Sequence, residues 1–140
     1  NMHPPGEPQL EDFVEYVQKL RRAAAAGERS QVRMYAQQAA LLAPTLLRRL
    51  NDDVVVHDRA EALEAALALG VAPEHYRDDM VVCLGLAGAD DEAVQRAAVR
   101  LARELLAFLR ERKPDVDPQP DISRYLADGT LERHLGIDTG

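Results

Sequence analysis

Residues 90–113, DDEAVQRAAVRLARELLAFLRERK, constrain the fold of this chain more than any other stretch. Asp90, Asp91 and Glu92 open it and Arg110, Arg112 and Lys113 close it. That order places carboxylates at the unsatisfied N–H end of a helix and cations at the carbonyl end. Pro114 then ends the helix, since it has no N–H to donate and disfavours helical geometry in the residue before it. Val94, Ala98, Leu101, Leu105 and Phe108 recur at spacings of four and three, and Ala97, Ala102, Leu106 and Leu109 widen the seam. The apolar arc covers roughly half the helix circumference, wider than the ~100° stripe of a surface helix. One neighbour cannot cover it, so the segment is expected to be the central helix of a bundle.

Upstream, the same spacing predicts four further helices. The first covers about 9–26, with Leu10, Phe13, Val17, Leu20 and Ala24 inward and Gly27 as its stop. The second runs from 28–30 to 50 along Val32, Ala36, Ala39, Ala43, Leu46 and Leu50, and forms an antiparallel hairpin with the first. Pro44 interrupts its hydrogen bonding while the apolar phase continues, which predicts one kinked helix. Val54, Val55 and Val56 have no second strand to pair with and read as an extended connection. Asp58 and Glu61 have capping-box spacing and open a third helix, with Ala60, Leu63, Ala66 and Leu67 inward and Gly70 as its end. Pro73 opens a fourth, 74–86, in which Tyr76, Met80, Cys83 and Ala87 form one line. Val81, Val82, Leu84 and Leu86 predict burial of its second half, and Gly85 and Gly88 predict close packing there. The expected fold is therefore all-α: four to five helices around the long helix at 90–113, with a C-terminal arm of two short helical pieces.

Three regions follow. Residues 1–8, with Pro4, Pro5, Gly6 and Pro8, are a lead-in; residues 9–113 form the bundle; residues 114–140 are a proline-spaced linker and an amphipathic arm. Asn1 ahead of Met2 reads as a cloning remnant, and the start lacks the basic and apolar parts of a signal peptide. No apolar run approaches the ~20 residues that span a bilayer, so no membrane contact is expected and the cytoplasm is the expected location. The net charge of −7 opposes broad phosphate-backbone binding. The single cysteine, Cys83, rules out an internal disulfide or a cysteine zinc cage, and its apolar neighbours make it a buried hydrophobe.

The search for chemistry yields candidates only. Arg96, Arg100 and Arg103 mark a face of the long helix that could meet nucleic acid; without interleaved aromatics it better suits a solvated face with Glu92 and Arg96 paired at i,i+4. Residues 66–80 resemble a helix-turn-helix in Ala66, Gly70 and Val71, but Tyr76 and Asp79 depart from its core positions. Glu74, Asp78 and Asp79 on the would-be recognition helix would repel phosphates. His75 and Asp79 stand one turn apart, the spacing of a metal or acid–base pair, yet His3, His57 and His134 complete no ligand set. Glu11/Glu15 and Glu61/Glu64 resemble the carboxylate ladders of all-helical nucleotide pyrophosphohydrolases, whose ExxE pattern is denser than this. No phosphate loop, nucleophile elbow or HExxH is present, so no catalytic residue, metal or cofactor is assigned.

In the arm, Ile122, Tyr125, Leu126, Leu131, Leu135 and Ile137, with Arg133 and His134 among them, could pack on their own bundle or dock on a partner. The leading expectation is a non-enzymatic interaction or regulatory module, self-associating, whose partner is another protein or a second copy of itself. A DNA-associated regulator is the alternative, and a small enzyme or ligand binder around His75 the third.

Overall fold

The computed structural model describes residues 7–51 and 59–112, and within them the chain is all-helical, five α-helices packed on one another. They are α1 (Glu7–Ala25), α2 (Arg29–Leu46), α3 (Arg59–Leu67), α4 (Tyr76–Cys83) and α5 (Asp91–Glu111), with a short 3-10 helix at Arg48–Asn51. No described residue is in a strand, and Val54–Val56, the Asp58 cap and the whole arm lie outside the described residues.

α5 is the central element, packed on α1, α2 and α4. Val94, Ala97, Ala98, Leu101, Ala102, Leu105, Leu106 and Leu109 are buried along it. Each fully buried leucine contributes about 1.5–3 kcal/mol relative to exposure. The Asp90 side chain accepts from the Ala93 N–H at 2.8 Å and caps the helix. Phe108 departs from the expected seam: it is half-buried, with the Arg112 guanidinium 3.8 Å from its ring centroid.

α1 and α2 form the expected hairpin. Gly27, at φ +73°, ends α1 in a Schellman turn, with Glu28 N–H donating to Ala23 C=O at 2.9 Å and Gly27 N–H to Ala24 C=O at 3.1 Å. Phe13, Val17 and Leu20 of α1 are fully buried with Ala36, Ala39, Ala40 and Ala43 of α2, whose short side chains admit the larger ones. The kinked helix expected up to residue 50 instead changes type: the α-helix ends at Leu46 and the chain tightens into the 3-10 turn. Pro44 offers no N–H to Ala40, and the Leu47 N–H is shared between Ala43 and Pro44 carbonyls, both at 3.2 Å, which winds the chain more tightly.

The middle of the chain differs more. α3 ends at Leu67, three residues short of Gly70; Leu67 is buried but Leu63 is exposed, because a nine-residue helix packed mainly on α4 has little to cover its sides. α4 begins at Tyr76, not Glu74, after a turn in which Tyr76 N–H donates to Pro73 C=O at 3.1 Å. It ends at Cys83 in a second Schellman turn through Gly85, at φ +78°. That turn carries Leu86 and Ala87 outward, so both are exposed and Val81, Val82 and Leu84 only half-buried, against the expectation of a buried second half. Gly85 and Gly88 mark no close packing either: a Cβ at either would meet nothing within 4 Å.

Two polar clamps fix the connections. Asn51, buried, donates from Nδ2 to the Leu47 and Val71 carbonyls, each at 2.9 Å, and its Oδ1 accepts the Val71 N–H at 3.0 Å. At the opposite end of α2, the Asp91 carboxylate is held by Arg29 and by Arg33 Nε at 2.9 Å, while Arg33 Nη2 donates to the Ala89 carbonyl at 2.9 Å.

Candidate functional site: a groove along the outer face of the central helix

The half of α5 that is not buried carries Glu92, Gln95, Arg96, Val99, Arg100 and Arg103 at successive turns. α4 runs beside it and presents Asp78, Asp79 and Val82, and Arg21 of α1 completes the rim. Between them lies a surface groove of about 870 Å³, with Ala93, Ala97, Val82 and Val99 as its apolar part.

The charged pairs along it follow from the antiparallel run of α4 and α5. Asp79 faces Arg100, while His75, one turn earlier, faces Glu104, one turn later. The Asp79 side chain is only 2% exposed. Arg100 donates to it from Nε (2.9 Å to Oδ2) and Nη2 (2.8 Å to Oδ1), a two-pronged grip that fixes the plane of the guanidinium. Burial pushes the Asp79 carboxyl above the usual carboxylate range and outweighs the pull of Arg100 in the other direction. The same bond raises the Arg100 guanidinium further. No hydrogen bond to a described residue engages Nη1 of Arg100, which keeps one edge of a fixed cation at the groove wall.

His75 Nδ1 lies 2.9 Å from Glu104 Oε2 and 3.1 Å from Oε1. His75 and Asp79 thus have separate partners on α5 and do not face a common centre. Among the described residues no group of three or more His, Cys, Asp or Glu side chains is placed to hold a metal. Arg96 pairs with Glu92 at 3.6 Å, as the i,i+4 spacing predicts, with both ends in solvent. Arg103 is exposed. Of the three arginines, Arg96 and Arg103 are exposed and Arg100 is committed to the buried Asp79. On the other acidic candidates, Glu15 bonds Lys19 at 3.1 Å on the surface of α1, and Glu64 is exposed on α3.

Two further groups are chemically distinctive. Burial, with the Asp79 charge nearby, pushes the Cys83 thiol up to about 12, which makes it inert as a nucleophile at neutral pH. The Tyr76 hydroxyl is buried with no hydrogen-bond partner among the described residues, and burial raises its ionisation well above the usual phenol range. The arm residues Ile122, Tyr125, Leu126, Leu131, Arg133, His134, Leu135 and Ile137 lie outside the described residues.

Sequence reasoning missed Arg21, which reaches the groove from another helix, and it missed the role of Asp79. The signal for Asp79 was present: it stands three residues after Tyr76 and four before Cys83, on the buried line of α4. A carboxylate at a core position needs a cationic partner, and Arg100 was available.

Among the described residues no helix is long and apolar enough to cross a membrane. None of the curated proteins compared with the chain matches it. Residues 9–111 match the family described as the nucleotidyltransferase substrate-binding domain, nearly the whole of the described bundle. The chain belongs to this family.

Proposed function

We propose, with that membership as the premise, that this chain holds the acceptor in a nucleotidyl-transfer system and makes no bonds itself. The acceptor is the molecule that receives the nucleotidyl group. It binds in the groove of α1, α4 and α5 and is presented to transfer residues carried by another protein. The observation that carries this reading is the groove itself. Its volume, about 870 Å³, is within the range of small-molecule sites, roughly 300–1,000 Å³. It combines an apolar part with a few oriented charges, the make-up of a site that fixes one ligand pose. The expectation of a protein partner is kept in sharper form, with the partner as the bearer of the transfer chemistry and the arm at 122–137 as a docking element.

Labelled nucleotide transfer to a panel of small acceptors decides the matter. The assay is run with this chain alone, with a separate nucleotidyltransferase catalytic protein alone, and with both. Transfer is expected only in the mixture, and Ala93→Trp, which fills the groove from a half-buried surface position, is expected to abolish acceptor binding. Transfer by this chain alone, or acceptor binding unaffected by Ala93→Trp, would overturn the reading.

A further inference from the structure

We propose that the outward face of α2 is a self-association surface, on which a second copy of this chain packs antiparallel, helix against helix. No described residue of α2 borders the groove, so this inference and the acceptor-holding reading stand or fall separately.

Residues 34–47, MYAQQAALLAPTLL, form the longest stretch of the chain without a charged side chain. The solvent positions of the other long helices carry charge: Asp12, Glu15 and Arg22 on α1, Arg96 and Arg103 on α5. On α2 they carry Met34, Gln37, Gln38 and Leu41, with Met34 47% and Leu41 57% exposed. Intervals of three and four put these residues on one stripe, the kind of seam by which helices pair. Two copies with a net charge of −7 each repel one another over most of their surface. Along this stripe the repulsion has no local source, and Arg33 at its edge is already held by Asp91 and the Ala89 carbonyl.

Two features favour a second copy over any other occupant. The first is order: apolar, amide, amide, apolar reads the same in either direction about the midpoint between Gln37 and Gln38. A two-fold interface is self-complementary, so Met34 lies against the partner's Leu41 and Leu41 against the partner's Met34. The central amides, each both donor and acceptor, meet their own counterparts. The second feature is a hollow of about 170 Å³ beside Met34, lined also by Gln37, Val82, Leu84, Gly85 and Val94. It falls well below the roughly 300–1,000 Å³ of small-molecule sites and suits one side chain. The partner's Leu41 arrives at the level of Met34, a knob for that hole. One helix face makes a small contact, under about 1,200 Å² in total, so the dimer is expected to be weak, with a Kd of roughly 10–100 µM.

The test is sedimentation velocity of the full chain over a dilution series that brackets that Kd. The mass is expected to climb towards twice that of the chain, and to do so at lower concentration in high salt, where the net repulsion is screened. Met34→Glu with Leu41→Glu, both at exposed positions, should leave a monomer with an unchanged helical far-ultraviolet spectrum. Leu63→Glu, which changes an exposed apolar residue on α3, should leave the dimer intact. Cross-linking under mild oxidation reads the orientation. Gln38→Cys, beside the two-fold axis, should link to itself. Met34→Cys should link to Leu41→Cys but not to itself, since its own counterpart lies roughly 10 Å away along the helix. Three results would each overturn the proposal: a monomer at every concentration up to roughly 1 mM, a dimer that survives the double glutamate change, or Met34→Cys linking to itself.

Discussion

Asn51 and the backbone of Val71 exchange a reciprocal pair of hydrogen bonds, Nδ2 to carbonyl at 2.9 Å and N–H to Oδ1 at 3.0 Å. An amide side chain here does what a neighbouring strand does elsewhere, satisfying both polar groups of a residue twenty positions away. Asn51→Ala leaves those groups without their partner and is expected to cost roughly 1–3 kcal/mol in urea unfolding. Tyr76→Phe makes the opposite case. Its buried hydroxyl has no partner among the described residues, so removing it should be neutral or stabilising by up to about 1 kcal/mol. Equal losses from the two substitutions would contradict both assignments.

The corner where Arg29 and Arg33 hold Asp91 gives an acid dependence of definite sign. Arg29, then Arg33, hold the Asp91 carboxyl below its ordinary value. A depressed folded value means the contribution is complete above the unfolded carboxylate pKa of about 3.9 and is lost as pH falls through the folded one. The melting temperature of Asp91→Asn should therefore lie below the parent at neutral pH and converge on it in acid below pH ~4, with a smaller gap at high salt. Asp79 works the other way. Its folded value is raised, so the folded state holds that proton at higher pH than the unfolded chain does, and stability declines as pH rises through that window. Asp79→Asn should flatten that decline.

Cys83 is a reporter of opening. With its thiol raised to about 12 and its side chain buried, it should be silent to thiol reagents in the native protein at pH 8. Labelling is expected to track global unfolding across a urea series; fast labelling without denaturant would show that α4 detaches from α5 on its own.

The glycines separate by backbone rather than by space. Gly27 sits at φ +73° with nothing near a Cβ, so Gly27→Ala is expected to cost about 1 kcal/mol through backbone strain alone. Gly88 has equal room and no positive φ, and Gly88→Ala should be neutral or gain about 0.4–1 kcal/mol from a less flexible unfolded chain. Thermal melts of the two variants should move in opposite directions.

What the sequence disclosed, it disclosed through period and punctuation. α1, α2 and α5 are long and amphipathic, so their inward faces and the Gly27 and Asp90 boundaries could be read from spacing alone. α3 and α4 are short, at nine and eight residues, and their burial is set by what lies beside them, which no local pattern encodes. Leu63 and Leu86 were therefore placed inside and are exposed. The same limit governs the groove. Arg96, Arg100 and Arg103 were visible as a stripe, but that Arg100 closes over Asp79, and that Arg21 joins from α1, depends on how helices far apart in sequence are laid side by side.

The alanine-lined seam of α1 and α2 joins segments separated by a single tight turn, whereas Arg29 meets Asp91 across sixty-two residues. Neighbouring segments close at small entropic cost and distant ones at greater cost, so assembly should be ordered in time. While the chain emerges from the ribosome, its first half can already zip together with one flank bare. α5 then arrives as a keystone, completing the described core and forming one wall of the groove in the same step.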